Sequence, residues 1–398
     1  MKKLMLLGGI HYLLPVIKAA HEQGYYVITA DYLPDNVAHK YSDEYVNVSI
    51  VDYDAVLKEA MKRNIDGIIS FGVDPGVVSA AYVQEKMGLP SMGPYESVKI
   101  LQNKDLFRKF LKDNGFNVPE AKGYYSKEDA LGDVSWLKWP MIVKPTDCAG
   151  SKGVTRVDRI EDYENAVDFA FEKSISGKII VEQFIEKIGC SSDSDSFLLD
   201  GQFKLLTFNA QRFDTNAKNP YAPAAFSWPS TFAEHEPYLT SELQRLMTLL
   251  KMKTSVFNIE TRVGTDGKPY IMEAAPRGGG NRLCEVLRYA TGVDMIKAQV
   301  RAAVGDSVDE IEQKPYNGHW AEIILHGETD GIFKRLDISD DMKRNVVETD
   351  LWVKEGDFVN PFNGANDSIG TLVLKFGTSE ESEWAITNQD EWLKIIVE

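Results

Sequence analysis

Lys144-Pro145 closes the apolar run Met141 to Val143, and the chain then reads Asp147-Cys148-Ala149-Gly150-Ser151-Lys152-Gly153-Val154. A cation at a strand end followed by a small-residue loop suits a polyphosphate. Glycines let backbone N–H groups approach phosphate oxygens with no Cβ in the way, Ser151 adds a hydroxyl, and Lys144 and Lys152 add charge. The order is not that of a Walker A loop, since GxxxxGK(S/T) is absent, and a solvated hairpin tip would have the same composition. Further along, Glu260 lies in FNIET and Glu273 in YIMEA, on two runs joined by Gly264-Thr265-Asp266-Gly267, the pattern of a hairpin. Paired strands place two carboxylates on one face, where they repel unless a cation lies between them. Mg²⁺ held by a few carboxylates plus substrate phosphates is the ordinary arrangement. Two exposed strand acids are the alternative reading, but Phe257, Ile259, Ile271 and Met272 argue for buried strands, where an unpaired acid is costly. Pro276-Arg277-Gly278-Gly279-Gly280-Asn281 follows at once. Its guanidinium can grip a carboxylate or phosphate through two bonds, and its glycines form either a turn or an anion nest.

The elements that must position these residues can be read from periodicity. The first ninety or so residues alternate short apolar strands (KLMLLGG, YYVITAD, DGIISFG) with amphipathic stretches at Pro15 to Gln23 and Asp54 to Arg63. That βαβαβ rhythm predicts an α/β domain with parallel strands and right-handed crossovers. Gly8-Gly9 lacks full GxGxxG spacing and reads as a tight turn. A charged helix, KILQNKDLFRKFLKDNG, begins after Val98, and a domain boundary falls just before it. PMIVKP and TRV then form a hairpin around the small-residue loop, and KIIVEQFI supplies another strand. FNAQRFDTNAKNPYAPAAFSWPS, rich in Pro, Asn and aromatics, is expected to be an ordered loop lying over something. A helix near Leu239 to Lys251 precedes the Glu260/Glu273 hairpin, and the tail from about Tyr316 is mostly strand-like with a final helix.

With 398 residues and 43% hydrophobic side chains the chain can fill two or three domains. Sixty acidic against 44 basic residues leave a formal charge of −16, which disfavours nucleic acid and anionic membranes as partners. No run reaches about 18 uninterrupted apolar residues. MKKLMLLGGIHYLLPVIKAA reads as a buried strand and helix rather than a leader, and three scattered cysteines suggest no disulfide frame or zinc motif. A reducing cytoplasm is expected. His11, His21 and His235 have no triad context and read as structural or surface residues.

The ordered set Lys104, Lys144, the Gly-rich hairpin, VEQFI, Glu260 and EAAPR resembles the ATP-grasp superfamily over essentially the whole chain. The resemblance implies a pre-ATP-grasp α/β domain over 1–97 that helps bind substrate. It also implies an α+β ATP-grasp domain of two subdomains over 98–315, with the hairpin at about 115–185, and a small β-rich C-terminal subdomain over 316–398. Lys104 and Lys144 would contact phosphates, and Gly150, Ser151, Lys152 and Gly153 would fold over the triphosphate. Glu182 would take the adenine amino group, completed by the backbone of Gln183 and Ile185 with Phe184 beside them. Glu260 and Glu273 would hold Mg²⁺, with Mn²⁺ as a substitute. Two departures stand out: Ala275 replaces the asparagine often found in E-x-N-P-R, and Ser191 or a neighbouring acid in GCSSDSD replaces a glutamate usual near the ribose. The E-x-x-x-R-x-G-G ending resembles the branch that couples amino acids. The implied activity is ATP-dependent ligation: a carboxylate, such as an amino acid, becomes an acyl phosphate and passes to an amine. Lys144 and Arg277 would be catalytic, and Arg212, Arg277, Gly278 and Gly279 would hold substrate. Homodimers are frequent in that family. The alternatives are a carboxylase-like or purine-precursor ligase using bicarbonate or formate, and a non-catalytic nucleotide-binding protein.

Overall fold

The computed structural model describes residues 1–147, 153–308 and 311–398. The N-terminal strands β1 (Lys3–Leu7), β2 (Tyr26–Asp31), β3 (Glu44–Asn47) and β4 (Gly67–Ser70) form a parallel sheet in the order β3-β2-β1-β4. Helices α1 (Leu14–Glu22), α2 (Tyr53–Arg63) and α3 (Val77–Met87) cover it. Four residues of β1 are buried, as expected of a strand covered on both faces. Asp52 caps α2 by accepting from the Ala55 N–H, and Gly88, at φ 65°, ends α3 in the left-handed region. The short edge strand β3 has no counterpart among the strands read from the sequence.

The charged stretch read as one helix is two: α4 (Tyr95–Gln102) and α5 (Lys104–Asp113), broken at Asn103, whose φ −116° and ψ 111° are extended. The break puts Lys104 at the first position of α5, where its N–H donates to Thr146 O at 3.3 Å, two residues past Lys144. One local kink thus brings the two lysines together.

An antiparallel sheet, in the order β5 (Ala121–Tyr124), β8 (Ile179–Gln183), β6 (Met141–Pro145), β7 (Thr155–Val157), carries the described part of the hairpin. Helices α6 (Lys127–Gly132) and α7 (Tyr163–Lys173) close its core of Met141, Val143, Tyr163, Val167 and Val181. A second antiparallel sheet runs β10 (Gln202–Leu205), β9 (Ser192–Leu199), β13 (Ser255–Val263), β14 (Pro269–Ala275). It packs against α8 (Glu236–Leu249), α9 (Leu283–Thr291) and α10 (Met295–Ala303).

The segment expected to be a covering loop is instead a hairpin of β11 (Ala210–Phe213) and β12 (Pro223–Trp228). Its alternating apolar residues, Ala224, Phe226 and Trp228, are buried. It joins β15 (His319–His326), β19 (Ser368–Phe376) and β17 (Val346–Leu351) in a five-stranded sheet ordered β11-β12-β15-β19-β17. A division at 315/316 therefore cuts across a continuous sheet. A small sheet, β18 (Phe358–Val359), β16 (Gly331–Ile338) and β20 (Leu393–Val397), completes the C-terminal part. Among the described residues no helix is long and apolar enough to cross a membrane.

Candidate active site

Strand register builds the site. Glu260 stands directly opposite Glu273 on β14 and opposite Asp193 on β9, so three carboxylates form a row on one face. Two residues along β13, Asn258 stands opposite Ala275 and Asp195. The face is thus acidic over three strands, with an amide beside the position where Ala275 leaves no side-chain ligand. Asn258 donates to Asp193 at 2.7 Å and to Asp195 at 3.1 Å. Lys104 reaches Glu273 at 3.4 Å, and Arg262 reaches Glu260 at the same distance. Burial opposes ionisation of Glu273, but Lys104, Lys144 and Arg277 outweigh it and hold the carboxyl below its usual range. Asp193 goes the other way: burial first, and then the charge of Glu260, push it up to about 8.

Beneath this row lies a buried ion-pair cluster. Glu182 accepts from Arg108 Nε at 2.8 Å and from Lys144 Nζ, and Arg108 also donates to Met272 O at 2.8 Å. Burial penalises the Glu182 carboxylate, yet Arg108 and Lys144 more than offset it and bring its pKa to about 2. The Lys144 ammonium is depressed by burial and by the neighbouring Arg108 and Lys104, against the pull of Glu182. A site that crowds three cations together is prepared for an anion.

Arg277 donates from Nε and Nη2 to the two oxygens of Asp74, each at 2.8 Å, and from Nη1 to Gly278 O at 3.0 Å. Its fork, expected to grip a substrate carboxylate, is here occupied by the loop after β4. The same loop donates Gly72 N–H to Gly278 O at 3.0 Å. The glycine run is dictated by contact: a Cβ on Gly278 would stand 2.1 Å from the Phe71 ring, and one on Gly279 would stand 2.9 Å from Asp195 Oδ1. Asp195 accepts from the Gly279 N–H at 2.8 Å and from Cys284 Sγ at 2.9 Å, so it holds this loop.

The remaining sequence-derived residues divide. Gly150, Ser151 and Lys152 lie outside the described residues. Gly153, at φ 73°, has Pro145 and Lys173 each 2.9 Å from where a Cβ would be. Around VEQFI, the Glu182 side chain points into the ion-pair cluster, the Gln183 N–H donates to Glu120 O and the Phe184 N–H to Pro140 O. Phe184 lies under Arg156, at 4.5 Å from guanidinium to ring centre, and Ile185 O accepts from Arg262 at 3.3 Å. Arg212 sits on β11, donating to Ser227 Oγ at 2.8 Å and paired with Glu383, so it stands in a sheet rather than in a covering loop. His11 stacks on Trp352, His21 pairs with Asp43 and His235 with Glu234. Sequence reading missed Asp74, Arg108 and Asn258, and touched Asp193 and Asp195 only as the acids of GCSSDSD offered beside Ser191 near the ribose. Asp193 and Asp195 left a signal, the alternation Ser-Asp-Ser-Asp-Ser, whose period of two puts both acids on one strand face.

The donor set fits a divalent cation. Opposed carboxylates, one neighbour driven up to about 8 by burial and the crowding of negative charge, are relieved by a cation between them. Among the described residues no three His, Cys, Asp or Glu side chains converge tightly enough to hold one alone, so substrate oxygens would have to complete its shell.

One lysine at a strand end and another at a helix start stand beside a carboxylate row spanning three strands, a set of charges that fits a metal–polyphosphate. Residues 137–285 match the family model for the ATP-grasp domain. It is 26% identical over 245 residues to the carbamoyl phosphate synthase large chain of a Thermoanaerobacter species, covering 60% of this chain and 22% of that one. It is 26% identical over 309 residues to the Thermotoga neapolitana large chain, covering 75% and 27% respectively. The chain therefore spans about a quarter of the length of these curated relatives. Among solved structures it is similar to an L-amino acid ligase from Bacillus licheniformis, with TM-score 0.81, 21% identity and coverage of 100% and 99%. It is also similar to a phosphoribosylglycinamide synthetase from Anaerococcus prevotii, with TM-score 0.78, 21% identity and full coverage of both chains.

Proposed function

We propose that this protein is an ATP-dependent ligase that activates a carboxylate, such as that of an amino acid, as an acyl phosphate and passes the acyl group to an amine, releasing ADP and phosphate. The observation that carries the reading is the placement of Lys104 and Lys144 beside Glu273, which stands directly across from Glu260. Lysines neutralise phosphate oxygens, and opposed acids ask for a cation. Mg²⁺, when bound, would screen the triphosphate and make its terminal phosphorus a better electrophile. The chain's own residues supply the positioning. Glu260 and Glu273, with Asp193 beside them, would hold the metal. Lys104 and Lys144 fix the phosphates, and Glu182 and Arg108 set where the Lys144 ammonium points. Asp195 holds the glycine loop against the acidic face. Catalysis of this kind is chiefly orientation and electrostatics. Arg277, tied to Asp74, acts as a clamp between the N-terminal domain and the carboxylate row, and reaches a substrate carboxylate only by exchanging that partner.

The names of the similar solved structures support a carboxylate substrate, an L-amino acid ligase among them. Phosphate release measured against a panel of amino acids, with bicarbonate and formate in parallel, tests the reading. Release stimulated by amino acids supports it, and release with bicarbonate alone sinks it.

A further inference from the structure

On the other side of the glycine loop, a cavity of about 740 Å³ opens between α1 and β17. Its aromatic wall is Trp352, with His11 stacked on it at 5.0 Å between ring centres and Tyr12 edge-on at 5.8 Å. Its inner end touches the active-site loop. Tyr12 Oη donates to Asn281 Oδ1 at 2.9 Å, and a Cβ on Gly280 would stand 3.1 Å from the Tyr12 ring. Gly279, one residue back, is bonded to Asp195 of the acidic face. The cavity and the carboxylate row therefore flank a single short loop.

The charge around the cavity is unbalanced. Glu22, Glu285, Glu348 and Asp350 line it against Lys18 and Arg282. Arg282 is already held by Glu285 at 2.8 Å, Glu348 at 3.0 Å and Asp350 at 3.4 Å. One more carboxylate lies behind them. Glu322 on β15 is fully buried, and neither of its oxygens has a hydrogen-bond partner among the described residues. The register shows where it points. Glu322 stands opposite Val373 on β19, and Val373 stands opposite Glu348 on β17, so Glu322 shares the sheet face of Glu348 and Asp350, both of which line the cavity. Burial pushes its carboxyl well above the usual range, with Arg282 opposing and Glu285 adding to the rise. A buried carboxylate with no donor is costly unless it stays neutral or meets a cation. Glu322 does not itself line the cavity; it lies behind Glu348 and Asp350 on their sheet face, with β19 between the two strands.

We propose that this cavity binds the amine-bearing substrate as a primary ammonium carried on an apolar or aromatic body, the ammonium received by Glu322 together with Glu348 and the body lying against Trp352 and Tyr12. An ammonium supplies three donors, and Glu322 has none among the described residues; an indole face favours both the charge and the apolar body. The ligase reading supplies the fate of the amine; the binding itself stands without nucleotide.

Calorimetric titration of the nucleotide-free protein with phenethylamine, 2-phenylethanol and 3-phenylpropionate tests this, because the three probes share a body and differ at one end. Phenethylamine is expected to bind at least about tenfold more tightly than the other two. Glu322→Gln, which keeps the side-chain shape, is expected to weaken phenethylamine about tenfold while MgADP binding and thermal unfolding stay as in wild type. Trp352→Leu should weaken phenethylamine and 2-phenylethanol alike. The proposal is overturned if no probe binds, if 3-phenylpropionate matches the amine, or if Glu322→Gln binds phenethylamine as wild type does. Should Glu322→Gln fail to fold, the ranking of the three probes on wild type decides. Because no nucleotide is present, failure here leaves ATP-dependent ligation intact, and absence of phosphate release would leave the binding result standing.

Discussion

Replacing Glu182 by Gln removes the buried charge that faces both Arg108 and Lys144 while keeping the side-chain shape. Its carboxyl sits at about 2 against an ordinary 4.5. Because lowering a carboxyl's pKa by one on folding is worth about 1.36 kcal/mol at neutral pH, this depression corresponds to on the order of 3 kcal/mol of stability. The cost of removing one partner from a buried pair, roughly 3–5 kcal/mol, points the same way, since two cations are left facing each other. The sign of the pH dependence follows from the depressed folded-state value. The contribution is complete above the unfolded carboxyl's 4.5 and is lost as pH falls through that value toward about 2. Urea unfolding followed by tryptophan fluorescence is the assay. At neutral pH the variant should be less stable by about 3 kcal/mol, and the gap to wild type should narrow steadily as pH is lowered from about 5 to about 3. A difference under about 1 kcal/mol at neutral pH, or a gap that stays constant on acidification, would refute the idea that this cluster is held by Glu182's charge.

Gly278→Ala forces a methyl to 2.1 Å from the Phe71 ring and should cost about 1–3 kcal/mol in thermal unfolding. Phe71→Leu in the same chain should recover part of that loss; no recovery would argue against the clash as its cause. Glu273→Gln should weaken Mn²⁺ binding measured by electron paramagnetic resonance in the presence of ADP by about tenfold or more, while metal-free ADP affinity changes little. Equal metal affinity in variant and wild type would remove Glu273 from the metal site. Lys144→Ala should abolish most phosphate release; if it alters ATP affinity alone and no substrate ever gives ADP, the chain is a nucleotide-binding protein that does not turn over.

Much of this architecture was legible because local rules and tertiary demands coincide. The apolar company of Glu260 and Glu273 and the Gly-Thr-Asp-Gly turn between them imply two buried strands with the acids on one face, and the register places them directly opposite. Where a local signal is weak or misleading, the sequence is silent. β9 is Ser- and Asp-rich, poor in the residues that favour strands, yet it lies inside a sheet, where its polar side chains bond Thr207 and Asn258 of β13. The run ILQNKDLF has helical composition throughout, and the break at Asn103 reflects the tie between Lys104 and Thr146 rather than any breaker residue. β11 and β12 contain Pro and Asn around their turn, which reads as loop until the neighbouring β15 is known. Partners far apart in the chain are the least readable: Arg277 and Asp74 are separated by 203 positions, and nothing local marks them as a pair. The same holds for Arg108 and Glu182, which decide the charge state beside Lys144.

The most direct measurement of the central claim is hydroxamate formation. Hydroxylamine is a small amine that captures acyl phosphates, so the protein incubated with ATP, Mg²⁺, hydroxylamine and each amino acid in turn should give a ferric-coloured hydroxamate together with one ADP per product. Omitting Mg²⁺ or introducing Glu273→Gln should remove the colour. ADP formed without hydroxamate for every carboxylate offered, or hydroxamate formed as fast by Glu273→Gln as by wild type, would contradict the account.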